Sequence, residues 1–290
     1  EIRLSLVGSE MCIRDRAGSD GTFTPQEVEG LLFNNRSYLA ENILPSLLEA
    51  CANQGDTPVN VDGTAVDISV SCAALEDWDG TMNLTSTGAH VFREFAFQFN
   101  QAPQWETPFS LEMPVTTPSG LMQNDVTLQQ LARATQVIEE AGIAFDAPLG
   151  DVQFVERSLP DGTASGVKLP WAGAHNIEGG FNVFDVSSNR NGTLLPRHSY
   201  ETINNNTAMS AQAEGYHINY GTSWAMVINF TDEGPKGRGI LTYSQSRKYG
   251  SEHFLDQTRL YSTQPTLRDI YFTEEEIEAN KIEHVTLSSD

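Results

Sequence analysis

The sequence predicts an α+β fold from three observations. Apolar residues recur at helical spacing between residues 23 and 144, short β-prone runs bounded by glycine follow after about residue 148, and the two patterns do not alternate. With 290 residues, 39% of them apolar, and 14 Phe, 8 Tyr and 4 Trp, the chain can bury a large core, as one large domain or two of ordinary size.

The helices come first. Thr24, Pro25 and Glu27 supply an N-cap, a proline at the first helical position and the returning carboxylate of a capping box. Val28, Leu31 and Leu32 then line one face. Leu39, Ile43 and Leu47 recur every four residues with Leu44, Leu48 and Cys51 beside them, so the next helix buries a broad stripe; Pro45 inside it predicts a kink. The run CAALEDWDG reads as a helix closed by Gly80 as its C-cap glycine. Val91, Phe92, Phe95 and Phe99 make another buried face, and Leu128, Leu131, Thr135 and Ile138 the last one, stopped near Gly142.

The strands follow. GDVQFVER and GGFNVFDVS are short β-prone runs bounded by glycine. In SWAMVINF, residues Trp224, Met226, Ile228 and Phe230 fall on one face at period two. TDEGPKGRG reads as a hairpin loop and ILTYSQS as the returning strand. Thr273 to Glu276 forms a second capping box that opens the helix EEEIEAN, and HVTLSS reads as a closing strand. The region 185–214, polar and rich in Asn and Ser, reads as a long surface excursion.

Charge and cysteine content narrow the function classes. Against 39 acidic residues stand 17 basic ones, a net charge of −22 that repels phosphate backbones and disfavours nucleic-acid binding. No apolar run approaches the roughly 18 residues of a membrane span. Of the cysteines, Cys12 lies in EIRLSLVGSEMCIRDR, a stretch with no period, cap or signal-peptide pattern that resembles a translation of sequencing-library adapter DNA. Residues 1–16 are therefore expected to be non-native, with 17–147 mainly helical and 148–290 β-rich. Setting Cys12 aside leaves Cys51 and Cys72. Their spacing alone leaves a bridge, which suits an oxidising compartment, and two buried thiols equally open.

Few motifs carry chemistry. Asp77 to Gly80 has its glycine too early for an EF-hand loop and no bidentate Glu at the right offset, so a helix end is expected there. The six histidines never fall at an i, i+4 metal spacing, and no Walker loop, dinucleotide fingerprint or G-x-S-x-G elbow is present. No metal and no cofactor are expected. Five N-x-S/T sequons, beginning at Asn35, Asn83, Asn191, Asn205 and Asn229, are close to chance in so Asn-rich a chain. Ser244, His253 and Asp256 fall within thirteen residues of each other. Triad members usually come from distant parts of a chain, so this closeness argues weakly for a nucleophile, base and orienting acid.

From Glu214 to Ile277 the sequence carries an ordered set of short motifs: Gly221-Thr222-Ser223-Trp224, Glu233-Gly234-Pro235, Gln245-Ser246, Ser251-Glu252-His253-Phe254-Leu255-Asp256-Gln257 and Phe272-Thr273. In this order they resemble the C-terminal end of the β chain in the penicillin acylase family, in the branch of acyl-homoserine-lactone and aculeacin-type acylases. NILPSLLEAC and CAALEDWDG resemble the helical part of the same chain, and the likeness runs from about Thr24 to the end, least well over 185–214. Glu252 stands where the family usually has proline, and PLGDVQF lacks the tryptophan usual before Gly-Asp.

The resemblance implies an amide hydrolase of the N-terminal nucleophile type, built as an αββα sandwich with a helical subdomain. It implies cleavage of an acyl chain from an amine, such as an acyl-homoserine lactone or acylated peptide, in a periplasmic or secreted bacterial setting. It also implies a bridge between Cys51 and Cys72. The expected partners are the α chain and the remainder of the β chain from one precursor. Its nucleophilic serine and oxyanion-hole residues lie upstream of this segment, so no catalytic residue is assigned here, and residues 244–261 are expected to be framework. Two rival readings stay open: a non-catalytic secreted ligand-binding module, and a serine hydrolase using Ser244, His253 and Asp256.

Overall fold

The computed structural model describes residues 23–180, 183–185, 198, 200–210, 215–218 and 220–287. The adapter-like segment 1–16, the sequon at Asn191 and much of the 185–214 excursion lie outside the described residues.

Local rules account for the helices. Helix α1 (Pro25–Phe33) begins at the Thr24–Glu27 capping box. Helix α2 (Tyr38–Gln54) is capped by the Ser37 hydroxyl and runs uninterrupted through Pro45. A two-stranded hairpin, β1 (Val59–Val61) and β2 (Thr64–Val66), separates it from α3 (Ser69–Glu76). This hairpin is an addition to a region expected to be mainly helical. Asp62 and Gly63 form its turn with φ of 52° and 88°, the left-handed pair that a two-residue hairpin loop requires. The end of α3 is corrected too. The helix closes at Asp77, because Asp79 turns its carboxylate onto the N–H and hydroxyl of Thr81, and Gly80 sits in the following turn.

Helix α4 (Ala89–Gln101) is buried on nearly every side. Phe92, Phe95 and Phe99 face a first core shared with Ile43, Leu47, Leu75 and Ile138. A second small hairpin, β3 (Trp105–Thr107) with β4 (Ser119–Leu121), leads to α5 (Asp125–Ala141), which Asn124 caps and Gly142 ends in the left-handed conformation. After the single turn α6 (Leu149–Val152), β5 (Gln153–Ser158) pairs antiparallel with β6 (Ala164–Pro170) and parallel with β8 (Tyr216–His217). Strand β7 (Val183–Asp185) pairs with β9 (Tyr220–Gly221). Where the excursion is described it is not wholly superficial: Thr207, Ala208, Met209 and Ser210 are buried, the apolar pair in a second core with Val155, Trp171 and Ile240.

The last sheet has the order β10 (Trp224–Thr231), β11 (Gly234–Leu241), β12 (Arg268–Ile270). The expected loop is mostly strand: Thr231 pairs with Gly234, leaving only Asp232 and Glu233 in the turn. Pro235 is tolerated in β11 because β12 covers only Gly237 to Gly239, so at Pro235 the strand has one neighbour. Helix α1 packs on β10, whose Ala225 and Val227 are buried. Trp224, Met226, Ile228 and Phe230 point the other way and are 45%, 46%, 45% and 83% exposed. Beyond α7 (Asp256–Thr263) and α8 (Glu274–Asn280), residues 284–287 form no strand, which corrects the reading of HVTLSS.

Candidate functional site

The Ser244–Asp256 region is a knot that holds α7 against the last sheet. Ser244, at φ 60°, turns the chain out of β11. Its Oγ accepts the backbone N–H of Thr258 at 2.9 Å and shares a hydrogen bond with Thr258 Oγ1 at 3.0 Å. Thr258 is the third residue of α7, so this bond occupies a first-turn donor that the helix cannot satisfy itself. Asp256 Oδ1 accepts the next such donor, Gln257 N–H, at 2.7 Å. Gln257 Oε1 in turn accepts Leu241 N–H at 3.0 Å. From β5, the Arg157 guanidinium donates to the carbonyls of Tyr243, Ser246 and Phe254 and lies 4.6 Å from the Phe254 ring centre.

His253 completes this knot at the surface. Its Nδ1 lies 2.9 Å from Asp256 Oδ2, with the imidazole side chain 53% exposed. The hydrogen bond to Asp256 holds His253 above the ordinary imidazole value. Burial pushes Asp256 upward, but its hydrogen bonds, that from His253 foremost, outweigh this and leave it below the ordinary carboxyl value. A serine nucleophile needs the imidazole between hydroxyl and carboxylate. Here Asp256 Oδ2 bonds the imidazole while Ser244 Oγ bonds Thr258, and no hydrogen bond joins Ser244 to His253 among the described residues.

The other concentration of polar groups lies inside. Arg93, on the buried helix α4, donates through Nε to Glu178 Oε1 at 2.6 Å and through Nη2 to Glu178 Oε2 at 3.2 Å. It also donates to Gln153 Oε1 and to Gly173 O, and its guanidinium lies 4.8 Å from the Tyr216 ring centre. Both members of the Arg93–Glu178 pair have no exposed side-chain surface. Burial disfavours the cation most strongly, yet the charge and hydrogen bonds of Glu178, together with the nearby Tyr216 and Glu94, outweigh it, and Arg93 stays above its ordinary value. The neighbouring Glu94 Oε1 accepts from Tyr216 Oη at 2.6 Å and from Thr207 Oγ1 at 2.9 Å, while its Oε2 is buried without a partner. Burial lifts the Glu94 carboxyl to about 7 and pushes the Tyr216 phenol well up. Glu178 also accepts His175 N–H at 2.7 Å and, through its backbone oxygen, the Ser37 hydroxyl at 2.9 Å. One network thus joins α2, α4, β5 and β8. The outward signal in the sequence was an Arg-Glu pair inside the aromatic run HVFREFAFQF.

The remaining singled-out residues are structural in their contacts. Cys51 and Cys72 are joined by a disulfide that ties α2 to α3. Asp79 accepts from Thr81 and Ser86. Asn35 is buried and donates to Asn83 Oδ1 at 2.9 Å, so both sequon side chains are engaged. Among the described residues no group of three or more His, Cys, Asp or Glu side chains is placed to hold a metal ion.

These features define an α+β chain whose buried polar groups join its elements and whose nearby Ser, His and Asp anchor a helix. The chain belongs to the penicillin amidase family, whose model matches residues 10–279. Among curated proteins it is similar to the acyl-homoserine lactone acylase PvdQ of Pseudomonas syringae pv. syringae (strain B728a), 27% identical over 93% of this chain and 31% of that protein. It is similar also to aculeacin-A acylase of Actinoplanes utahensis, 28% identical over 88% of this chain and 29% of that one. The chain therefore spans about a third of the length of these relatives.

Proposed function

We propose that this chain is the C-terminal part of the β chain of an amide hydrolase that removes an acyl group from an amine, an acyl-homoserine lactone or an acylated peptide. The observation that carries this reading is the match to two named acylases across most of the chain but only about a third of theirs. In this reading the nucleophile is a serine at the start of the β chain, upstream of the segment described. Its Oγ attacks the amide carbon, and its own α-amino group, with a reference pKa of about 8, takes the proton. Backbone and amide N–H groups steady the oxyanion. The amine leaves with a proton, and water hydrolyses the acyl ester.

The exposed face of the last sheet supports a layered αββα architecture. Trp224, Met226, Ile228 and Phe230 stand in a row, and Met226 and Ile228 pair with Gly239 and Gly237. A Cβ at Gly239 would come within 2.7 Å of the Trp224 ring, so glycine leaves that face flat beside the tryptophan. Such a regular apolar face is suited to packing against another layer. The α chain and the remainder of the β chain are the partners that would supply it. The disulfide favours a periplasmic or secreted setting. Among the described residues no helix is long and apolar enough to cross a membrane.

The test is to express the gene together with its upstream reading frame and to follow release of homoserine lactone from an N-acyl-homoserine lactone by mass spectrometry. The processed two-chain protein should turn over substrate, and residues 17–290 alone should not. Turnover by the isolated segment, or a folded, processed protein inert on all acylated amines, would sink the proposal.

A further inference from the structure

A cavity of about 170 Å³ lies at the edge of β5, where the ladder to β8 ends after His217. Arg157, Ser158, His198 and Ile218 line it, with Tyr243 and Arg247 from the chain after β11. It is small beside the roughly 300–1,000 Å³ pockets that take drug-sized ligands. Its charge is unusual for a chain of net charge −22. Among the described residues the hydrogen bonds of the Arg157 guanidinium go to backbone carbonyls, which are neutral acceptors. Arg247 is exposed and is not in an ion pair among the described residues. Among the described lining residues the one carboxylate, Glu156, already accepts from Tyr200 Oη at 2.5 Å and Gly166 N–H at 2.7 Å.

We infer that this cavity binds a small tetrahedral oxyanion, phosphate or sulfate, between Arg157 and Arg247, a role separate from amide hydrolysis. Two arginines that line one cavity repel each other, and an anion bound between them converts that repulsion into two charge-assisted interactions. The repulsion is already felt: after burial, the charge of Arg247 is the next influence that lowers Arg157. Beside them, His198 Nε2 is buried with no hydrogen-bond partner among the described residues, and Ser158 Oγ, which accepts His198 N–H at 2.7 Å, still has its own proton to donate. A bound anion would tie β5 to the chain between Tyr243 and Phe254.

Calorimetric titration of inorganic phosphate into the full-length protein at constant ionic strength tests this. Saturable binding at one site is expected, competed by sulfate and not by equimolar chloride. Arg247→Gln, an exposed substitution that leaves the Arg157 bonds in place, should weaken binding at least tenfold. Arg133→Gln, at a partly exposed arginine that pairs with Asp62 and does not line this cavity, should leave it unchanged. Absence of saturable binding, equal competition by chloride, or equal loss in both variants would overturn the assignment. So would saturable binding of acetate in place of phosphate.

Discussion

Ser244 is hydrogen-bonded to Thr258 and not to His253: its Oγ accepts the Thr258 N–H at 2.9 Å and shares a proton with the Thr258 hydroxyl. A hydroxyl committed in this way is a helix cap supplied from another part of the chain.

Ser244→Ala should therefore cost about 1 kcal/mol of stability, as loss of a cap does, and leave amide hydrolysis by the full-length protein within a few-fold. A fluorophosphonate probe, followed by mass spectrometry of the peptides, should leave Ser244 unmodified. A covalent adduct on Ser244 would overturn the structural role.

Two buried groups near each other on α4 should give opposing pH dependences. Burial lowers His90 to about 4 and raises Glu94 to about 7. The unfolded chain releases the His90 proton near 6.5 and the Glu94 proton near 4.5. Between pH 4.5 and 6.5 the unfolded state holds an extra proton at His90, so that contribution rises with pH. Over the same window the folded state holds an extra proton at Glu94, so that contribution falls with pH. The two slopes nearly cancel. Glu94→Gln should then leave stability rising with pH and His90→Gln should leave it falling, each by up to about 1.4 kcal/mol per pH unit. Urea unfolding at pH 4.5, 5.5 and 6.5 measures both, and parallel profiles for the two variants would refute the assignment.

Arg93→Met leaves Glu178 charged, buried and short of its cation, and should destabilise the chain by about 3–5 kcal/mol. Pairing it with Glu178→Leu removes the uncompensated charge, so the double variant should lose less than the sum of the two single variants. Denaturant midpoints of the four proteins supply the cycle; additivity would mean that the two side chains do not act as a pair.

The disulfide closes a loop with a sequence separation of 21 residues. Cys51→Ala with Cys72→Ala should lower stability by about 3 kcal/mol. A reductant should lower the melting temperature of the parent and leave that of the double variant unmoved.

Helix limits were the most legible features because they are encoded within a turn or two. Thr24–Glu27, Thr273–Glu276 and Gly142 each carry their own hydrogen-bond partner or conformational freedom nearby. The β1–β2 hairpin is missed by the sequence reading: Asp62-Gly63 between valines is a hairpin signal, but its three-residue strands fall inside a region that reads as helical. Family membership was legible in the ordered motifs from Gly221 to Thr273, which extend far beyond any single site.

The amino-acid sequence by itself determined the α+β composition, the helix starts and the period-two pattern of β10, since these follow from spacing and local hydrogen bonding. Tertiary structure alone decided which face of β10 is covered: α1 seals the small residues Ala225 and Val227, and the large ones face outward. It also decided that Glu94 answers to Tyr216, 122 residues away, and that Ser244 answers to a helix. A buried carboxylate or hydroxyl takes whichever donor the packing brings within about 3 Å, and no local pattern names a donor so distant in the chain.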